Sequence, residues 1–99
     1  WAVPSTPPVD VASATVCDGA REIAGVATAG GACFALACGE ELQEVCAASD
    51  GTITSHRTLT RTGCNGRHVA YPTSELVAWA CTAGGGTVEV IARSDLTTP

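Results

Sequence analysis

Six cysteines, Cys17, Cys33, Cys38, Cys46, Cys64 and Cys81, run through a chain of 99 residues and constrain its folding more than any other feature. An even number at this density points to a disulfide framework made in an oxidising compartment. Metal-type spacing is missing: there is no C-x-x-C knuckle, and only His56 and His68 could complete a thiolate site. The reading is three bridges, with no metal and no other cofactor. Bridges matter here because the core is thin. Hydrophobic residues make up 45% of the chain, but with one Phe, one Tyr, two Trp and no Met. Most are Ala, Val and Cys, which bury little area each. A bridge that closes a long loop adds about 2–4 kcal/mol.

Charge narrows the partners. The formal net charge is −5, lysine is absent, and all five basic residues are Arg. An acidic surface argues against non-specific nucleic-acid binding and against docking on anionic membranes through basic residues. No apolar run approaches the roughly 20 residues needed to span a bilayer. No charged-then-apolar leader precedes Trp1, so a signal peptide is expected to have been removed and the protein to act extracellularly. The expected partner is a protein or a cell-surface target.

Residues 1–8, with three prolines and no periodicity, read as an extended arm, and residues 9–99 as one domain. Residues 9–17 suit a strand, and residues 20–29 suit either a helix or a strand. Residues 32–38 form a short apolar run between glycines, the pattern of a buried strand. Residues 40–49 predict a helix with Leu42, Val45, Cys46 and Ser49 on one face and Glu41 and Glu44 on the other. Residues 52–62 are rich in β-branched side chains and predict a strand. Cys64-Asn65-Gly66 then turns the chain into a return strand over 67–71. In that hairpin, with Gly66 in the left-handed position, Leu59 faces Tyr71 and Arg61 faces Val69. Residues 73–81 predict a second helix, capped by Thr73 and striped by Leu76, Val77, Ala80 and Cys81. Residues 87–92 predict a last strand, and 95–99 a frayed tail. The order from residue 32 is strand, helix, strand, strand, helix, strand. The expected fold is therefore α+β, a split βαβ (βαββαβ): an antiparallel sheet with two helices on one face, and an extra N-terminal strand or helix.

Catalytic chemistry finds little support. In the expected hairpin, His56 and His68 sit roughly 20 Å apart, too far to share a proton. No G-x-S-x-G elbow exists. Glu40, Glu41 and Glu44 on one helix make a solvated face rather than a glycosidase pair across a cleft. The threonines at 52, 54, 58, 60 and 62 form a hydroxyl row that strand propensity alone explains. No catalytic residue is assigned. Arg61, Arg67 and Trp79 are the candidates for partner contact, since Arg and Trp are enriched at binding hot spots.

A small six-cysteine chain with this element order over residues 32–93, and with Cys46 and Cys81 inside the two helices, resembles the virally encoded killer toxins of smut fungi. It is similar also to the cysteine-rich effectors of plant-pathogenic fungi. The resemblance implies a secreted, non-enzymatic toxin or effector acting on a competing cell or a host plant. It carries no functional residue over. Two alternatives remain. One is a protease inhibitor presenting residues 63–67, braced at Cys64, with Arg61 or Arg67 as the primary side chain. The other is a small secreted ribonuclease. The expected trace also bears on the bridges. Cys33 and Cys38 lie about 17 Å apart on one strand and cannot pair. Cys64 is expected to pair with Cys38 or Cys81, and Cys17 elsewhere.

Overall fold

The computed structural model describes residues 12–81 and 86–98. The expected arm at 1–8 and the first three residues of the expected strand at 9–17 lie outside them. Residues 12–17 form no strand.

Seven strands and one short 3-10 turn make up the described chain: β1 Glu22–Thr28, β2 Gly31–Cys38, β3 Glu41–Ala48, β4 Ile53–Thr60, β5 Gly66–Thr73, β6 Leu76–Cys81, β7 Thr87–Ala92 and the turn Arg93–Asp95. The architecture is all-β. Strands β1-β2-β3-β4 form one antiparallel sheet and β5-β6-β7 a second, each a meander of consecutive neighbours. The α+β expectation is overturned, since no helix occupies residues 40–49 or 73–81.

The physical reason is visible in both segments. Residues 41–48 carry two periodicities at once. As a helix they gather Leu42, Val45 and Cys46. As a strand they alternate Leu42, Glu44 and Cys46 inward. Helix propensity is a weak prior that tertiary context overrides, and here Cys46 is bonded to Cys33, its direct cross-strand partner on β2. Segment 73–81 behaves likewise. Thr73 Oγ1 accepts the Glu75 N–H at 3.2 Å, which builds the β5–β6 turn instead of a helix cap. Val77 and Trp79 then face inward, with Ala78 and Ala80 between them on the outer face.

The expected hairpin between β4 and β5 is also replaced. The two strands belong to different sheets, and Cys64-Asn65-Gly66 carries the chain across. Gly63, with φ +81°, takes the left-handed position expected of Gly66. Gly66 serves another purpose. Its N–H bonds to Gly39 C=O at 2.8 Å. A Cβ there would fall 2.7 Å from the Trp79 ring, so only glycine lets β5 cross so close to the core. Nor is the described part of the expected frayed tail loose: Thr97 exchanges backbone hydrogen bonds of 2.7 and 3.0 Å with Thr58 on β4.

The sheets pack face to face. Ala35, Ala37 and Leu42 from the first meet Val69, Val77, Trp79 and Ile91 from the second, joined by Cys64 and Leu96. On the first sheet's outer face Leu36, Gln43 and Val45 are also buried. Three disulfides staple the frame: Cys17–Cys38, Cys33–Cys46 and Cys64–Cys81. Cys64 thus takes one of its two expected partners, and Cys33 and Cys38 do not pair. Three bridges place the folded chain in an oxidising compartment. Among the described residues no helix is long and apolar enough to cross a membrane.

Candidate functional site

Chemically distinctive side chains collect in two places, one inside the sandwich and one outside it. The inner site is built around Glu44, whose alternation on β3 points it between the sheets, where it is fully buried. A buried carboxylate is costly unless paired and hydrogen-bonded. Two strands and the 3-10 turn meet that need. Arg57, its cross-strand neighbour on β4, donates to Oε1 at 2.5 Å. Tyr71 of β5 donates its hydroxyl to Oε2 at 2.7 Å. Arg93 donates Nε–H to Oε2 at 2.8 Å, and another of its nitrogens lies 2.8 Å from Cys33 Sγ. Burial alone would raise the Glu44 pKa, but the hydrogen bonds from Arg93, Tyr71 and Arg57 outweigh it and hold the carboxyl below its ordinary value. Burial and the Glu44 carboxylate together push the Tyr71 phenol up.

This cluster is a poor place for chemistry. Glu44 stays ionised with its oxygens occupied, and Tyr71 stays protonated. Cys33, Glu44 and Cys46 bring three ligand-type atoms within 4.8 Å of one another. The two sulfurs are joined in a bridge, however, and two guanidiniums face the carboxylate, so a cation finds neither thiolates nor a free anion. A cleft of about 380 Å³ beside the cluster is lined by Arg57, Arg93, Ser94 and Glu75. Both of its arginines are paired with Glu44, and Glu75 adds a second carboxylate to the lining, so the cleft carries no charge excess to attract an anion.

The outer site is the exposed face of the second sheet. Cross-strand register places Val88 beside Ala80 and His68, and Val90 beside Ala78 and Ala70. Val88 is 72% exposed and Val90 56%. A shallow depression of about 190 Å³ lies between Ala70, Ala78, Ala80 and Val88. Its rim carries Glu22, which accepts from His68 Nδ1 at 2.9 Å and from the Val69 N–H at 3.0 Å. Those contacts, with His68 first, lower the Glu22 pKa.

The residues singled out from sequence scatter. Trp79 is 1% exposed and belongs to the core. Arg61 leaves the strand end and grips Glu89 of β7 through hydrogen bonds of 2.6 to 3.1 Å. Arg67 is exposed on β5. His56 bonds Gln43 at 3.0 Å on the outer face of the first sheet, while His68 stands on the outer face of the second. The sandwich separates the two histidines. Glu44, expected on a solvated helix face, is buried instead, and its partners Arg57 and Arg93 carry no role in the sequence-based expectation. The signal available was a lone Glu between apolar residues at strand spacing, Leu42 and Cys46. Val88 and Val90 were visible only as part of a strand.

Comparison with protein-family models, curated proteins and solved structures finds no match to this chain.

Proposed function

We propose that this is an extracellular, non-enzymatic binding protein, a toxin or effector that meets a competing cell or a host through the outer face of β5-β6-β7. The observation that carries this reading is the contrast between the two sites. Glu44, Tyr71, Arg57 and Arg93 are tied to one another inside, while aliphatic side chains stand in solvent on a disulfide-stapled frame. Isolated exposed apolar residues need no explanation, but a contiguous stripe of Ala70, Ala78, Ala80, Val88 and Val90 is the kind of surface that binds. A rigid frame keeps the ordering cost of binding low. The likeness to killer toxins and effectors now rests on the cysteine count and the small size alone, because the helices that contributed to it are strands.

The inhibitor alternative retains an exposed Arg67, but on strand β5 rather than on a free loop. An inhibitory loop must be exposed and extended, whereas residues 61–64 form a tight turn, with Cys64 N–H bonded to Arg61 C=O at 3.0 Å and Gly63 N–H to Glu40 at 2.7 Å. Arg61 is engaged with Glu89. The ribonuclease alternative lacks a histidine pair.

Fungal cells and leaf tissue treated with the oxidised protein test the proposal, with Val88→Glu as the comparison. Val88 is solvent-exposed, so the variant is expected to keep its fold and to lose at least about tenfold in potency, the size of a desolvated charge at an interface. Equal potency of the variant, no response from any cell, or turnover of RNA by the wild type would each overturn it.

A further inference from the structure

Two sheets leave four edge strands, and three of the edges are occupied or spoiled. On β4, Thr58 is bonded through both backbone groups to Thr97. β1 and β5 lie against each other, with Glu22 of β1 taking the Val69 N–H of β5, and β5 also carries Pro72 and two breaks in register. Among the described residues the fourth edge, β7, has none of these devices, and its one charge, Glu89, is neutralised by Arg61. Thr87-Val-Glu-Val-Ile-Ala92 contains no proline, no lysine and no bulge, and it pairs with β6 without interruption. An unprotected edge of this kind is a template for another strand.

The backbone groups on offer follow from the ladder. Arg93 N–H bonds to Glu75 C=O at 2.9 Å, one pair beyond Leu76↔Ala92. Hydrogen-bonded pairs alternate in antiparallel sheets, so Thr87, Glu89 and Ile91 bond to β6. Val88, Val90 and Ala92 turn their N–H and C=O groups to the open edge. These are the residues whose side chains stand on the apolar outer face.

We propose that β7 pairs antiparallel with β7 of a second copy of this chain, about a two-fold axis through Val90. In that register Val90 faces Val90 of the second copy, and Val88 faces its Ala92. All three outward residues of each strand are matched, giving about six interchain hydrogen bonds. Shifting the axis to Glu89 loses part of the ladder and sets Glu89 against the second copy's Glu89, a like-charge pair. The two three-stranded sheets become one of six, and the apolar stripe runs unbroken across both copies. The contact is isologous and closes at two chains. It is independent of the cellular role proposed above.

Sedimentation of the full oxidised chain between about 1 µM and 1 mM reads the association, and a species of twice the 9.9 kDa chain mass is expected within that range. Val90→Pro removes an N–H that β6 does not use, at an edge where proline is tolerated. It should weaken pairing about tenfold or more while leaving the fold intact. Val90→Cys gives a second route: mild oxidation should link two copies through residue 90, while Val88→Cys, opposite Ala92, should not link to itself. A monomer up to about 1 mM, a dimer untouched by Val90→Pro, or equal linking through 88 and 90 would overturn the proposal. A monomer that takes up an unrelated extended peptide at β7 would overturn it too.

Discussion

The interior of the sandwich has two halves packed on opposite principles. One is apolar: Trp79, Val77, Leu42 and Ile91 fill it, with alanines between them. The other is ionic: Glu44, Arg57, Arg93 and Tyr71 meet beside the Cys33–Cys46 bridge. The apolar half is stabilised by area removed from water and tolerates conservative exchange. The ionic half contributes little net stability, but it depends on every partner being present. A chain this poor in large side chains closes a seven-strand sandwich by combining the two.

Deleting the centre of each half gives the largest effects. Trp79→Ala should destabilise the fold by about 3–5 kcal/mol through lost transfer energy and a cavity. Glu44→Ala should cost a similar amount, about 3–5 kcal/mol, by leaving arginine charge uncompensated. Chemical denaturation of both variants checks this. Restoring complementarity separates the halves: Glu44→Gln with Arg93→Met should recover much of the Glu44 loss, whereas no second change should rescue Trp79→Ala. If the Glu44→Ala fold is as stable as wild type, the ionic half is ornamental.

The bridge at the border comes next. Replacing Cys33 and Cys46 together by Ala should cost about 3 kcal/mol, the loop-closure value for a short loop. It should also remove the sulfur beside Arg93. Non-reducing tryptic mapping tests the whole frame, because cleavage can occur only after arginine. Peptide 1–21 should be joined to 22–57, and 62–67 to 68–93. Linkage of 1–21 to 62–67 would refute the topology.

Acid should weaken the ionic half. Glu44 has a folded-state pKa below its usual 4.5. Its contribution to stability is therefore complete above pH 4.5 and is lost as pH falls through the lower folded value. A denaturation series from pH 7 to 2 should show stability falling in that window, and Glu44→Gln should flatten the fall. Tyr71→Phe should cost about 1.5–3 kcal/mol, the range for a hydrogen bond to a charged group. The smallest effect belongs to the rim. Arg61→Ala breaks a solvent-exposed pair with Glu89 and should change stability by no more than about 1 kcal/mol.

Sequence reading went furthest where one pattern admitted one structure. Residues 32–38, 87–92 and most of 52–62 are strands as expected, because β-branched or short apolar runs between glycines leave a helix no advantage. It failed over 41–48 and 76–81, where Leu42, Val45 and Cys46, or Val77, Ala80 and Cys81, satisfy a helical stripe as well as a strand alternation. The inner site was hidden for the same reason. Glu44 belongs on a solvated face if the segment is helical and between two arginines if it is extended.

Composition alone fixes the oxidising compartment, the reliance on bridges, the net negative charge and the poverty of the core. Each follows from composition, which folding does not change. Tertiary structure decided the helix-or-strand question, the partner of each cysteine and the company of Glu44. Those depend on residues such as Arg57 and Arg93, which lie 13 and 49 positions from Glu44 along the chain. Local periodicity extends over a single element, and only the packed sheets bring such distant charges within hydrogen-bond reach.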